Sequence, residues 1–197
     1  MNEWLKLSEK RRLEILNQVN SQTGLPSDAI EKDWWVTITL KAIFSSKFAQ
    51  HLVFKGGTSL SKAYNLIERF SEDIDLSIDR TMLGFEGELS KTQIKKLRKA
   101  SGNFIVGEFK EELIDQLEKL GVNNDTYNLI FDDEIDDTSD PHRIELEYKS
   151  IVEPGEYIPQ RVIIELGARA LLEPNEQKTI QSIIGQIYPE QDFTIQP

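Results

Sequence analysis

The sequence predicts an α+β domain, and three observations carry that prediction. Apolar residues recur at helical spacing through the first 45 positions and again over 90–120. Short runs rich in β-branched and aromatic residues lie at 52–54, 72–78, 127–131, 143–148 and 161–166. A Gly-Gly turn, Gly56-Gly57, joins the first of these strands to a helix.

Each element has a local reason. Ser8 is placed to cap a helix in which Leu13, Ile15, Leu16 and Val19 share a face, and Gly24 followed by Pro26 closes it. Ser27 or Asp28 is expected to cap the next helix, from Ala29 to about Phe44. Its stripe is Ile30, Trp34, Ile38 and Ala42, widened by Trp35, Leu40 and Ile43. The two tryptophans are expected as core anchors rather than a base-stacking platform. Leu52-Val53-Phe54 reads as a short buried strand, and residues 59 to about 67 as a helix. In the strand over 72–78, Ile74, Leu76 and Ile78 share one face while Asp73, Asp75 and Ser77 share the other.

Residues 90–120 read as one long helix, or as two with a break at Ser101-Gly102-Asn103. Phe104, Phe109, Leu113, Leu117 and Leu120 supply the apolar positions, and Gly121 stops the run. Pro154-Gly155 separates the last two strands. The final 25 residues show neither a closing helix nor a cap. The expected organisation is an N-terminal helical segment over 1–45 packed on a core over 46–197, as one compact unit.

Composition excludes several chemistries. Without cysteine, neither disulfides nor thiolate metal sites can form. The only two histidines, His51 and His142, are far apart in sequence, which argues against a zinc site or a histidine-based triad. No apolar run approaches the roughly 20 residues of a membrane span. The start, Met1-Asn2-Glu3-Trp4-Leu5-Lys6, lacks the layout of a signal peptide, so a cytoplasmic protein with no membrane partner is expected. The net charge of −11 disfavours a grip on nucleic acid over the whole surface. A nucleic-acid contact would have to be local. Lys95, Lys96, Arg98 and Lys99 form the only dense basic cluster; the alternative is a solvated helix face. The acidic run from Asp132 to Asp137 lacks the glycine and terminal glutamate of a calcium loop and reads as solvated.

The candidate chemistry lies in Phe54-Lys55-Gly56-Gly57-Thr58-Ser59-Leu60-Ser61-Lys62 and Arg69-Phe70-Ser71-Glu72-Asp73-Ile74-Asp75-Leu76. Glycines let a backbone approach phosphate closely, and a helix starting there aims free N–H groups and its positive dipole at the anion. Thr58 and Ser59 add hydroxyls, and Lys62 could reach a phosphate one turn on. The pattern lacks the Gly-Lys-Ser/Thr ending of a Walker loop. Asp73 and Asp75, two apart on a strand, point the same way and could bracket a pair of Mg²⁺ ions beside a nucleoside triphosphate (NTP). Arg69 and Ser71 fall where triphosphate oxygens would lie, though Arg69 could instead anchor the loop through Glu68 or Glu72.

A third carboxylate is expected from Glu165, which interrupts the apolar strand Val162-Ile163-Ile164-Glu165-Leu166. Glu145 and Glu147 compete for the role but alternate with apolar residues on a face shared with Arg143 and Lys149. Such a set suits a nucleotidyltransferase. A nucleotide-binding module without turnover is the alternative.

These motifs resemble the first two of the AbiEii/AbiGii nucleotidyltransferase toxins, a branch of the DNA polymerase β-like superfamily. Ile30-Glu31-Lys32-Asp33-Trp34-Trp35-Val36 is similar to a segment on the helix before that family's core. Val162 to Arg169 is similar to the strand bearing its third acidic residue. The resemblance spans about residues 27–170. It implies a polymerase β-like core with a mixed sheet flanked by helices, magnesium dependence and an NTP substrate. It also implies a toxin of a toxin–antitoxin or phage-defence pair, with an RNA such as tRNA as acceptor and a cognate antitoxin as partner. Family members continue into a helical C-terminal region with further basic residues, which this sequence is expected to lack.

Overall fold

The computed structural model describes residues 3–66, 73–131, 138–153, 158–170, 172 and 175–188. Five strands form one mixed sheet: β1 (Leu52–Lys55), β2 (Asp73–Ile78), β3 (Tyr127–Phe131), β4 (His142–Tyr148) and β5 (Arg161–Gly167), in the spatial order β1-β2-β5-β4-β3. β2 and β5 run parallel; the other neighbours are antiparallel. Alternation along each strand separates the two faces. Phe54, Ile74, Leu76, Ile144, Leu146, Val162, Ile164 and Leu166 are buried on one side. Asp73, Asp75, Arg143, Glu145, Arg161 and Glu165 are half-buried on the other. This is the α+β architecture with helix-flanked mixed sheet expected of a polymerase β-like core.

The apolar side packs on helix α3 (Ser27–Phe44). This helix is buried around most of its circumference, charges included. Trp34 and Trp35 are core residues, as expected, with Trp35 stacked on Tyr148 at 5.0 Å. The short α1 (Glu3–Lys6), which no periodicity foretold, buries Trp4 6.0 Å from Trp34. Helix α2 (Glu9–Thr23) is capped by the Ser8 side chain and ended by Gly24 in the left-handed region at φ 75°. The start of α3 differs from expectation: neither Ser27 nor Asp28 is its cap. Pro26 occupies that position without a side-chain hydrogen bond, its fixed φ leading straight into the first turn.

Further differences have physical causes. The helix after the glycine turn, α4 (Gly56–Lys62), takes the glycines into its own first turn. It ends early, where Asn65 adopts φ 52°. The helical run over 91–119 does not break at Ser101-Gly102-Asn103, where Ser101 is buried and donates its hydroxyl back to the Arg98 carbonyl at 2.9 Å. Helix α5 (Lys91–Phe104) instead passes through a widened π turn, Ile105–Phe109, into α6 (Lys110–Lys119). That turn brings Phe104 and Phe109, five apart, into the same core with ring centroids 6.0 Å apart. The final stretch does contain a capped helix, α7 (Ile183–Ile187), with Ser182 accepting from the Gly185 N–H. Five residues are too few to show a period. The acidic run at 132–137 and the Pro154-Gly155 punctuation lie outside the described residues.

The charged trio on α3 explains how these pieces are tied. Glu31 accepts from the Ser150 hydroxyl and from the Ile151 N–H at 3.0 Å. Lys32 donates to the Pro159 carbonyl at 3.0 Å. Asp33 accepts from the Ile183 N–H at 2.7 Å and pairs with Lys62 at 2.6 Å, both side chains under 10% exposed. Lys62 also donates to the Gln181 carbonyl at 3.2 Å. One acid thus fastens α4 and α7 to the central helix. Among the described residues, no helix is long and apolar enough to cross a membrane.

Lys62→Met leaves Asp33 buried without its counter-charge. We expect a loss of about 3–5 kcal/mol in urea-unfolding free energy. A Lys62 with only a solvent-exposed role would show almost none.

Candidate active site

The site is built on one lateral row of the sheet's polar side. Lys55 pairs with Asp75, Asp75 with Glu165, and Glu165 with Arg143, so four side chains from β1, β2, β5 and β4 lie side by side. Neighbouring strands are about 4.8 Å apart, which gives the two central carboxylates one shared volume with a cation on each flank. A cavity of about 410 Å³ opens over this row, lined by Lys55, Asp75, Asp140, Glu165, Gly167 and Arg169 among others.

The glycine elbow meets the row directly. Gly56 has φ +77°, and a Cβ built on it would lie 1.9 Å from the Asp75 Oδ2. Glycine is required twice here, by backbone conformation and by space. Burial raises the Asp75 pKa above its ordinary value, and the nearby Lys55 charge opposes that shift. A carboxylate held in this way is destabilised as an anion until a cation joins it.

Asp73 lies two residues along the same face, half-buried and in register with Ile163, outside the wall of this cavity. Glu145 is held between two guanidiniums, Arg143 at 2.7 Å and Arg161 at 2.8 Å. Glu147 is exposed in register with Arg161. Gly57 follows the elbow in the first turn of α4, where Thr58 and Ser59 are buried. Lys62 lines neither this cavity nor the one beside it, its ammonium being engaged by Asp33. The expected roles of Arg69 and Ser71 fall outside the described residues.

Three charged cavity residues carried no assignment from sequence: Lys55, Asp140 and Arg169. Asp140 accepts from the Ala168 N–H at 3.1 Å and so ties the segment before β4 to the end of β5. Lys55 and Arg169 stood inside the motifs, but only strand register, for Lys55, and the shared cavity, for Arg169, place them with the acids.

A family model described as nucleotidyl transferase AbiEii toxin, type IV TA system, matches residues 38–196. The chain belongs to this family of nucleotidyltransferase toxins. The match begins within α3 and takes in the elbow, both acidic strands and every described cavity residue. No curated protein matches the chain.

The donor set suits a hard divalent cation: Asp75 and Glu165 offer carboxylate oxygens side by side, and Asp73 lies next along the face. No three His, Cys, Asp or Glu side chains stand grouped as a ready-made metal site among the described residues.

Two measurements test this geometry. Gly24 and Gly56 have nearly the same φ, but a Cβ on Gly24 meets nothing within 4 Å. Gly24→Ala should cost about 1–2 kcal/mol of backbone strain. Gly56→Ala should cost a further 1–3 kcal/mol or so from overpacking, and the excess should shrink in an Asp75→Ala background. Because the folded pKa of Asp75 is raised, protonation favours the fold, and stability is lost as pH rises through that pKa. Asp75→Asn should therefore raise the melting temperature at pH 8, with the gain disappearing toward pH 3.

Proposed function

We propose that this chain transfers a nucleoside monophosphate from an NTP to an acceptor hydroxyl, such as an RNA 3′ end, as the toxin of a toxin–antitoxin pair. The observation that carries the reading is the pairing of Asp75 with Glu165 on adjacent parallel strands against the Gly56 elbow. Family membership supports nucleotidyl transfer; the charge row supports the roles of individual residues.

In the reaction, the acceptor oxygen bonds to the α-phosphorus, the bond to the pyrophosphate oxygen breaks, and the acceptor hydroxyl releases its proton. Asp75 and Glu165, with Asp73 beside them, would hold Mg²⁺, which supplies charge neutralisation and alignment when bound. Gly56 and Gly57 let the phosphates approach the backbone. Lys55 and Arg169 face the cavity as cations suited to triphosphate and to the departing pyrophosphate. Glu165, between Asp75 and Arg143, takes the acceptor proton. Catalysis then rests mainly on orientation within a charged recess.

Polyanionic acceptors have a local patch to meet. Lys95, Lys96 and Lys99 are exposed on α5, which is tied to β4 by the His142 Nε2–H donating to the Arg98 carbonyl at 3.1 Å. His142 is two residues from the cavity's Asp140.

Incubation of the protein with each labelled NTP, Mg²⁺ and total tRNA should label RNA, and Asp75→Asn or Glu165→Gln should reduce labelling to background. Label on protein instead would identify a side-chain acceptor. Absence of label with every NTP, together with unchanged growth arrest on expression of Asp75→Asn, would overturn the reading.

A further inference from the structure

A second cavity of about 520 Å³ adjoins the first, sharing Lys55 and Ala170 with it; Gly56 lines this second cavity and not the first. Its character differs. The first chamber carries the charges; the second is walled chiefly by Val53, Leu60, Tyr64 and Leu172, with Ser59, Ser77 and Asn175 as its polar members. Its size falls within the range of roughly 300–1,000 Å³ typical of small-molecule sites, where an apolar wall with a few placed polar groups is the usual chemistry.

Two of these apolar residues stand out from the rest of the protein. Leu60 and Tyr64 are 41% and 40% exposed, part of a handful of large hydrophobic side chains left open to water among the described residues. They are one helical turn apart, on α4 and just beyond its end. The Lys178 ammonium lies 5.2 Å from the Tyr64 ring centroid. An aromatic surface, half in solvent and beside a charged recess, suits a flat aromatic ligand bearing a polyanionic tail.

We infer that this second cavity receives the base of the nucleotide whose phosphates lie against Gly56 and Lys55, with Tyr64 as the stacking surface and Leu60 as the apolar floor. The inference rests on the nucleotidyl-transfer reading above, and it assigns substrate selection to residues outside the acidic row. Lys55 stands at the junction of the two chambers, where a ribose-linked phosphate would pass. Ser77 and Asn175 are the wall groups able to distinguish base edges by hydrogen bonding.

The test is equilibrium binding to the full chain with Mg²⁺, comparing inorganic tripolyphosphate with each of the four ribonucleoside triphosphates. The wild-type protein should bind at least one NTP more tightly than tripolyphosphate. Tyr64→Ala should weaken that NTP by about 5- to 100-fold and leave tripolyphosphate unchanged, while Tyr64→Phe retains tight NTP binding. Leu60→Ser, at an exposed position that spares the core and adds no charge, should weaken NTP binding and leave tripolyphosphate unchanged. Equal loss for both probes in Tyr64→Ala, or no loss for either, would overturn the inference and leave the nucleotidyl-transfer reading standing. Failure of the wild-type protein to bind tripolyphosphate or any NTP would overturn both.

Discussion

The carboxylate of Asp75 lies so close to the α-carbon of Gly56 that no side chain fits between them. That contact sets the geometry of everything nearby. It brings the first turn of α4 against β2, fixes where the backbone N–H groups of the elbow lie relative to the acidic row, and forces Gly56 into a conformation other residues resist. The parallel register of β2 on β5 determines what stands next to Asp75. The neighbour is Glu165. Burial makes the Asp75 anion costly, and the neighbouring Lys55 charge only partly offsets that cost. The protein tolerates a destabilising arrangement at its polar face, as sites built to bind charge commonly do.

Stability comes from the opposite side of the sheet. There α3 lies between the apolar face and the surrounding helices, and its run of Glu31, Lys32 and Asp33 is buried rather than solvated. Each charge reaches a different segment: the turn after β4, the approach to β5, and the joint between α4 and α7. Burial raises the Glu31 pKa despite donors from Ile151 and Ser150, a sign of how far this helix is withdrawn from water. The tie between Asp33 and Lys62 links the two sides. Lys62 anchors the C-terminal end of the helix whose N-terminal turn forms the elbow, so the central helix helps set the position of the elbow's backbone.

Much of the fold was legible because it depends on local rules. Ser8 and Gly24 bound α2 through capping and φ alone, and the alternation of Asp73, Ile74, Asp75 and Leu76 separates the faces of β2. What misled were positions where tertiary packing overrode local preference. Ser101-Gly102-Asn103 has the composition of a break, one of the two readings of 90–120, but it stays helical and the irregularity falls in the π turn instead. Helix α7 is too short for periodicity and is held by Asp33 from a distant part of the chain. Lys62, one turn beyond a glycine elbow, suggested a phosphate ligand; the structure shows a buried ion pair.

By itself the sequence determined the residue types at the site: a glycine elbow, an Asp-x-Asp strand, and an acid in an apolar strand, each recognisable because its chemistry departs from its surroundings. It determined too that strands and helices would mix, since hydrophobic period is a local property. Only tertiary structure decided the order of strands, and with it that Glu165 rather than Glu145 lines the cavity with Asp75, that Lys55, Asp140 and Arg169 join them, and that Tyr64 borders a neighbouring chamber. The reason is register. Which side chains share a volume across a sheet depends on pairings between segments far apart in the chain, and no spacing within either segment encodes them.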